Sequence, residues 1–336
     1  MANPEDLPLA VTMGDPAGCG PQITLRAWQT LSADPASRPF YVTGDPAIYG
    51  EASAVIESPA DAASVFADKL PVLPLSAALP SFKTGTPDSA LAPAIVESID
   101  RAMADTFAGD AGGVVTNPIS KAVLYSAGFR HPGHTEYLAE LCEAHTGEAS
   151  PPVMMLVGGG LRVSLATIHV PLMRVLDHLT ATSLETVIRT TARAMQRDFG
   201  IGSPRIGLTG LNPHAGESGT IGLEERDIIN PVADRLRNDG INVSDARPAD
   251  TIFAETLDGR FDAVIAMTHD QGLIPVKTLD IWGGVNTTLG LPVIRTSPDH
   301  GTAYDVAAED KARPDSLIAA IRLAGQMAAQ RARHDA

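Results

Sequence analysis

"GLTGLNPHAGESG", Gly207–Gly219, changes character at one point. Its apolar half belongs to a strand-like run, Ile206–Leu211, which stops at Asn212-Pro213 and delivers His214 into a loop bounded by glycines. The same grammar recurs along the chain. Short apolar runs begin at Leu9 ("LAVTM"), Phe40 ("FYVTG"), Gly112 ("GGVVT"), Leu161 ("LRVSLATIHV"), Arg205 ("RIGLTGL"), Asp262 ("DAVIAM") and Pro292 ("PVIRT"). Most of them empty into polar residues: Gly14-Asp15, Thr116-Asn117, His169, His214 and His269-Asp270. Between them lie segments of helical periodicity with recognisable ends, among them "TSLETVIRTTARAMQRDFG", "GLEERDIINPVADRLRNDG" and "DSLIAAIRLAGQMAAQRA". Alternating strands and helices predict an α/β fold with helices covering a largely parallel sheet. Ligands of such sheets bind outside the carboxyl ends of the strands, so the polar residues gathered there are the candidate site residues.

A chain of 336 residues is too long for one compact core, and about two domains are expected. With 44% hydrophobic and 19% charged residues it falls in the ordinary soluble globular class. The formal net charge of −15 argues against a general nucleic-acid binder, which grips phosphate backbones with excess Lys and Arg. A small anionic substrate needs only a few local cations and stays open. Cys19 and Cys142 make neither a disulfide framework nor a spaced zinc set. The start, "MANPEDLPLAVTMGD", carries acids where a signal peptide needs positive charge, and no apolar run approaches membrane-spanning length. The expectation is a cytoplasmic protein with no membrane partner.

Three histidines share one context. His169 ("TIHVPL"), His214 ("LNPHAG") and His269 ("MTHDQG") each follow an apolar run and precede a turn or polar break. Three neutral imidazoles converging from strand ends would make a divalent-metal site with open positions, suited to zinc or cobalt. Alternatively, each is a hydrogen-bonded histidine at a strand end. Separations of 45 and 55 residues match no local zinc signature.

Cations and helix starts point to an anion. In "PGHTEYLAEL", Thr135 can cap a helix running from Glu136, leaving His134 at a helix N-terminus, where backbone N–H groups favour negative charge. "TNPISK" puts Lys121 one turn into a helix beginning near Pro118, against the dipole. "MGDPAGCGPQI" is a glycine-rich strand-to-helix turn, neither a dinucleotide fingerprint nor a P-loop. The densest stretch, Val276–Ala307, gathers Lys277, Asn286, Arg295, His300 and Asp305 among glycines. Arg295 closes an apolar run, a place for a phosphate or carboxylate clamp.

Taken in order, "MGDPAGCGPQI", "TNPISK", "PGHTEYLAEL", "TIHVPL", "LNPHAGESGTIGLEE", "MTHDQGLIPVK" and "VNTTLGLPVIRTSPDHGTA" resemble the 4-hydroxythreonine-4-phosphate dehydrogenase family of pyridoxal phosphate biosynthesis, over nearly the whole chain. The resemblance implies a two-domain α/β/α architecture of the isocitrate/isopropylmalate dehydrogenase type, with the active site in the interdomain cleft. The larger domain would comprise residues 1–133 and 280–336, with the cofactor loop. The second would comprise 134–279, with the metal ligands and the interface of a homodimer whose active site is shared.

By the same resemblance, His169, His214 and His269 are the metal ligands, for zinc, cobalt or magnesium. His134, Thr135, Lys277, Asn286 and Arg295 bind substrate. The "DHGTAYDVA" stretch, with His300, Gly301 and Asp305, holds NAD or NADP. The implied reaction oxidises 4-phosphooxy-L-threonine to 2-amino-3-oxo-4-(phosphooxy)butanoate, which decarboxylates to 3-amino-2-oxopropyl phosphate. A divalent metal would serve as Lewis acid, and Lys277 or an activated water as base. Two other readings remain: a 4-phospho-threonate or erythronate dehydrogenase of the same fold, and a non-redox metal-dependent phosphohydrolase. Thr268 stands where the family often has tyrosine, Cys19 where isoleucine is usual, and "DVAAED" replaces the common "AGxG".

Overall fold

The computed structural model describes residues 6–131 and 133–336. Its strands, in chain order, are β1 (Leu9–Thr12), β2 (Phe40–Gly44), β3 (Ser53–Val55), β4 (Leu70–Pro74), β5 (Val114–Val115), β6 (Val153–Gly158), β7 (Leu161–Leu165), β8 (Ile206–Thr209), β9 (Val243–Arg247), β10 (Ala263–Ala266), β11 (Val285–Leu289) and β12 (Arg295–Pro298). The chain divides into two compact units, residues 1–150 with 291–334, and residues 151–290.

In the first unit the strand order is β3-β4-β2-β1-β5-β12, and every pair is parallel. All residues of β1 ("LAVT") and β2 ("FYVTG") are buried, as expected of parallel strands covered on both faces. Helix Ala92–Ala108 begins with Pro93 in its first turn and ends at Gly109, whose φ of 78° is the left-handed stop that glycine adopts freely. Its apolar stripe, Ile95, Ile99, Ala102 and Met103, joins Tyr41 and Val114 in one core. Helix His134–Thr146 packs Tyr137, Leu138 and Cys142 into that same core. The sequence reading puts the domain boundaries at 133/134 and 279/280. Contacts put them near 150 and 290, because this helix has its apolar partners in the first unit.

In the second unit the order is β11-β6-β7-β10-β8-β9. Here the sheet departs from the largely parallel expectation. β7, β10, β8 and β9 are parallel neighbours, whereas β6 runs antiparallel to both β7 and β11. The cause is local. Gly158 pairs with Leu161, leaving Gly159-Gly160 as a two-residue turn with φ of 57° and 83°. Positive φ at both turn residues is what a tight hairpin demands. Helix Ala181–Arg197 starts from a capping box in which Thr180 and Ser183 satisfy each other's backbone N–H groups. Its N-cap is thus Thr180. "GLEERDIINPVADRLRNDG" splits as its proline implies, into a π-helical turn, Glu225–Ile229, and an α-helix, Asn230–Asn238, with Pro231 in its first turn.

Three strand ends fall short of the apolar runs. β7 stops at Leu165, so His169 lies four residues beyond it, β8 stops at Thr209, and "PVIRT" yields a strand only from Arg295 onward. Among the described residues, no helix is long and apolar enough to cross a membrane.

Candidate active site

Within the first unit, Arg295 opens β12 and is 3% exposed. Its Nε and Nη2 donate to the Thr116 hydroxyl at 3.2 and 2.8 Å, just beyond β5. Burial pushes its pKa down to about 10, with Glu136 acting in the opposite sense. His134 is the first residue of its helix and Thr135 the second, with Gly133 as N-cap. Thr135 therefore does not cap the helix as its sequence context implied. The Nε2 of His134 is buried and has no hydrogen-bond partner among the described residues. Burial, then Arg295, then Lys121 hold His134 well below the ordinary imidazole range, so the ring is neutral. Lys121 begins helix Lys121–Ser126, one turn later than the sequence reading placed the helix start, with Ser120 as N-cap. A Cβ built on Gly133 would lie 3.3 Å from its Nζ. Two cations beside an unsatisfied buried nitrogen form a corner for an anionic group. Thr116 and Lys121 were visible only as a polar strand end and a misplaced helical lysine. Nothing local tied either to Arg295.

The second unit carries the three histidines singled out above. His269 is the first residue of helix His269–Leu279, set there by a capping box between Thr268 and Gln271. Thr268 thus acts as N-cap. The rings of His169 and His269 have centroids 5.8 Å apart at an interplanar angle of 46°. His269 Nδ1 lies 2.8 Å from Asp270 Oδ1, so the Nδ1–H tautomer leaves Nε2 with a lone pair. His214 is exposed on a loop of unusual backbone, with φ 51° and ψ 31°. Among the described residues no set of three His, Cys, Asp or Glu side chains is close enough to hold a metal. The structure pairs two of the three histidines and does not bring His214 into a ligand group with them. Lys277 lies in the last turn of helix His269–Leu279, and Asn286 on β11 opposite Leu156.

The loop after β12 is docked in the first unit on the glycine-rich turn that follows β1. Cys19 N–H donates to Thr302 O at 2.8 Å, and Tyr304 OH donates to Asp15 Oδ2 at 2.5 Å. Gly18 has no room for a Cβ, which would sit 2.9 Å from Thr302 O. The "MGDPAGCG" turn thus serves as a seat for this loop. Burial raises the Asp15 pKa, and the Tyr304 hydrogen bond opposes the rise. His300, Gly301 and Asp305 are exposed, and a Cβ on Gly301 would meet nothing within 4 Å. A loop held from beneath and open above fits a cofactor lying on it.

The pyridoxal phosphate biosynthetic protein PdxA family matches residues 36–324 by its sequence profile. The 4-hydroxythreonine-4-phosphate dehydrogenase of Maricaulis maris is 48% identical, covering 97% of this chain and 98% of its own. That of Methylorubrum populi is 51% identical over 96% and 95%. The chain belongs to the PdxA family. It is a dehydrogenase of pyridoxal phosphate biosynthesis, and the solved 4-hydroxythreonine-4-phosphate dehydrogenase of Klebsiella pneumoniae shares its fold. That enzyme has a TM-score of 0.84 at 35% identity, covering 96% of this chain and 99% of its own. A terephthalate 1,2-cis-dihydrodiol dehydrogenase from Burkholderia xenovorans aligns less closely, with a TM-score of 0.67 at 30% identity over 95% and 98%.

Membership in the PdxA family implies a nicotinamide cofactor and a metal, and the residues can be tested for fit. Two facing imidazoles, one oriented by a carboxylate, suit a divalent ion with nitrogen preference. His214, on the same unit, does not complete a set of three with them among the described residues. The open loop at Gly301 suits the nicotinamide cofactor, in place of the absent G-x-G-x-x-G turn.

Proposed function

We propose that this PdxA-family chain oxidises the C3 hydroxyl of 4-hydroxythreonine 4-phosphate with NAD or NADP. The β-keto acid product, 2-amino-3-oxo-4-(phosphooxy)butanoate, then loses carbon dioxide to give 3-amino-2-oxopropyl phosphate. The observation that carries the substrate class is the buried, unpartnered Nε2 of His134 beside Arg295 and Lys121. A neutral imidazole can donate one hydrogen bond, and two cations supply charge, which together match a phosphate or carboxylate. Thr135 adds a hydroxyl at the same helix start, and Lys277 and Asn286 are the substrate-binding residues of the second unit.

His169 and His269, with His214 as third ligand, would hold a zinc, cobalt or magnesium ion, which supplies Lewis-acid polarisation of the reacting hydroxyl. The nicotinamide would supply the hydride acceptor, and Lys277 or a water would take the hydroxyl proton. His300, Gly301 and Asp305 line the loop that would carry the cofactor.

The working form is proposed to be a homodimer built on the second unit. Among the described residues, ten of twelve exposed large apolar side chains belong to 151–290, including Met173 at 96%, Leu172 at 76%, Ile281 and Trp282. Exposed apolar area of that kind marks an interaction surface.

The test mixes purified protein and divalent metal with a panel of phosphorylated hydroxy acids and each cofactor. Reduced nicotinamide should appear with the amino-acid phosphate and vanish on chelation. Faster turnover of phospho-threonate or phospho-erythronate would move the assignment to the sugar acids. Phosphate release without nicotinamide reduction would overturn it in favour of a phosphohydrolase.

A further inference from the structure

One side chain at the anion corner has the opposite sign. Glu136 is the third residue of helix His134–Thr146 and is partly buried. Its carboxylate raises the pKa of Arg295, against the larger, lowering effect of burial. It also comes close to Lys121. A Cβ built on Gly133 would lie 3.2 Å from Glu136 Oε2 and 3.3 Å from Lys121 Nζ. The carboxylate and the ammonium thus flank one bare backbone position. Even so, neither forms a hydrogen bond or an ion pair among the described residues. An acid in the first turn is ordinarily explained by the helix dipole, or by a capping box in which it binds the N-cap N–H. Gly133, the N-cap, brings no side chain, and no such box forms. Among the described residues, the buried Nε2 of His134, the Lys121 ammonium and the Glu136 carboxylate therefore all lack a hydrogen-bond partner.

We propose that Glu136 determines substrate specificity at this corner: its carboxylate takes the ammonium group of a phosphorylated amino acid, while Lys121, Arg295 and His134 take an anionic end. The inference rests on the corner being the substrate site, and it deepens that reading by choosing amino-acid phosphates over sugar-acid phosphates. A corner of cations alone would hold the phosphate or carboxylate of either class equally well. A carboxylate set among those cations repels the anions of a sugar acid, whose hydroxyl brings no charge to offset it. An amino-acid phosphate carries both signs within a few bonds. That pattern matches the unpaired carboxylate and ammonium on either side of Gly133, and an ammonium donating to a carboxylate makes a strong, charge-assisted hydrogen bond.

Two small probes isolate the ammonium. O-Phospho-L-serine and 3-phospho-L-glycerate share phosphate, carboxylate and configuration, and differ in an ammonium against a hydroxyl. Titration calorimetry of each into the purified chain, loaded with divalent metal and without nicotinamide, reads the discrimination as a ratio of Kd values. The unsubstituted chain should bind phosphoserine about tenfold or more tightly, as expected for one hydrogen bond between charged groups. Glu136→Gln keeps the volume and removes the charge. It should bring the two affinities together, mainly by weakening phosphoserine. Glu136→Asp keeps the charge on a shorter arm and should retain more of the preference than Glu136→Gln. Equal losses for both probes in Glu136→Gln would overturn the proposal, by reducing Glu136 to a support for the helix start. An unchanged ratio in that variant would overturn it too. If the unsubstituted chain binds both probes alike, the proposal fails and the anion corner stands. If it binds neither, the corner itself fails, and the role of Glu136 falls with it.

Discussion

At the scale of single residues, the proposed anion corner centres on one buried cation, Arg295. Arg295 is buried against Thr116, a residue 179 positions away in sequence. Its planar fork serves the Thr116 oxygen and, in the proposed function, would serve an incoming anion as well, which an ammonium group cannot imitate. Arg295→Lys should therefore raise the substrate KM about tenfold or more while changing kcat less, as steady-state kinetics would show; an unchanged KM would remove Arg295 from the corner. His134 offers a test through pH. Its folded pKa lies below the ordinary 6.5, so the unfolded chain takes up a proton first as pH falls. Its contribution to stability is present above 6.5 and is lost as pH drops from that value towards the folded pKa. Urea unfolding between neutral and mildly acidic pH should show a shallower loss for His134→Gln than for the unsubstituted chain. Arg295 and His134 were legible because each stands at the edge of an apolar run or a helix start. Thr116 was legible only as a polar strand end, since its partner is chosen by the pairing of β5 with β12.

At the scale of elements, turns and caps decide where the candidate histidines stand. Thr268 and Gln271 close a capping box that starts helix His269–Leu279 at the histidine itself. Thr268→Val removes the side-chain acceptor and should cost about 1 kcal/mol in denaturant unfolding, with weaker metal binding as the helix start frays. Gly159 turns the β6–β7 hairpin at φ 57°, and a Cβ there would lie 2.5 Å from Leu279 Cβ. Gly159→Ala should lower stability by about 1–2 kcal/mol, the cost of left-handed backbone for an L-residue, before any clash is counted. Periodicity located most of the strands and helices, and the proline in "IINPVADR" marked the break correctly. It did not show the hairpin, because "VGGGL" reads as an ordinary loop until two strands pair across it. Nor did it show the left-handed loop at His214, whose entry at Leu211 and Asn212 is held by the Glu225 carboxylate further along the chain.

At the scale of the whole molecule, a net charge of −15 coexists with a local corner made of buried Arg295 and exposed Lys121. Net negative charge argues against a general nucleic-acid binder, whereas a few local cations would still admit a small anion. The exposed apolar side chains of residues 151–290 are the other large-scale feature. Met173→Glu should shift the protein towards monomer in sedimentation velocity, with unfolding of the isolated chain little changed. A monomeric parent protein would refute the dimer reading outright.

The amino-acid sequence by itself determined the α/β class, most of the regular elements, the family, and the candidate site residues. These are properties of local pattern and of motif order, which need no knowledge of what lies opposite. Only the tertiary structure decided that helix His134–Thr146 belongs with the first core, that Thr116 orients Arg295, that the first glycine-rich turn seats the loop after β12, and that Glu225 holds Leu211 and Asn212 at the entry to the loop of His214. Each of those depends on contacts between distant segments, and such contacts arise only when buried polar groups must find partners inside a packed fold.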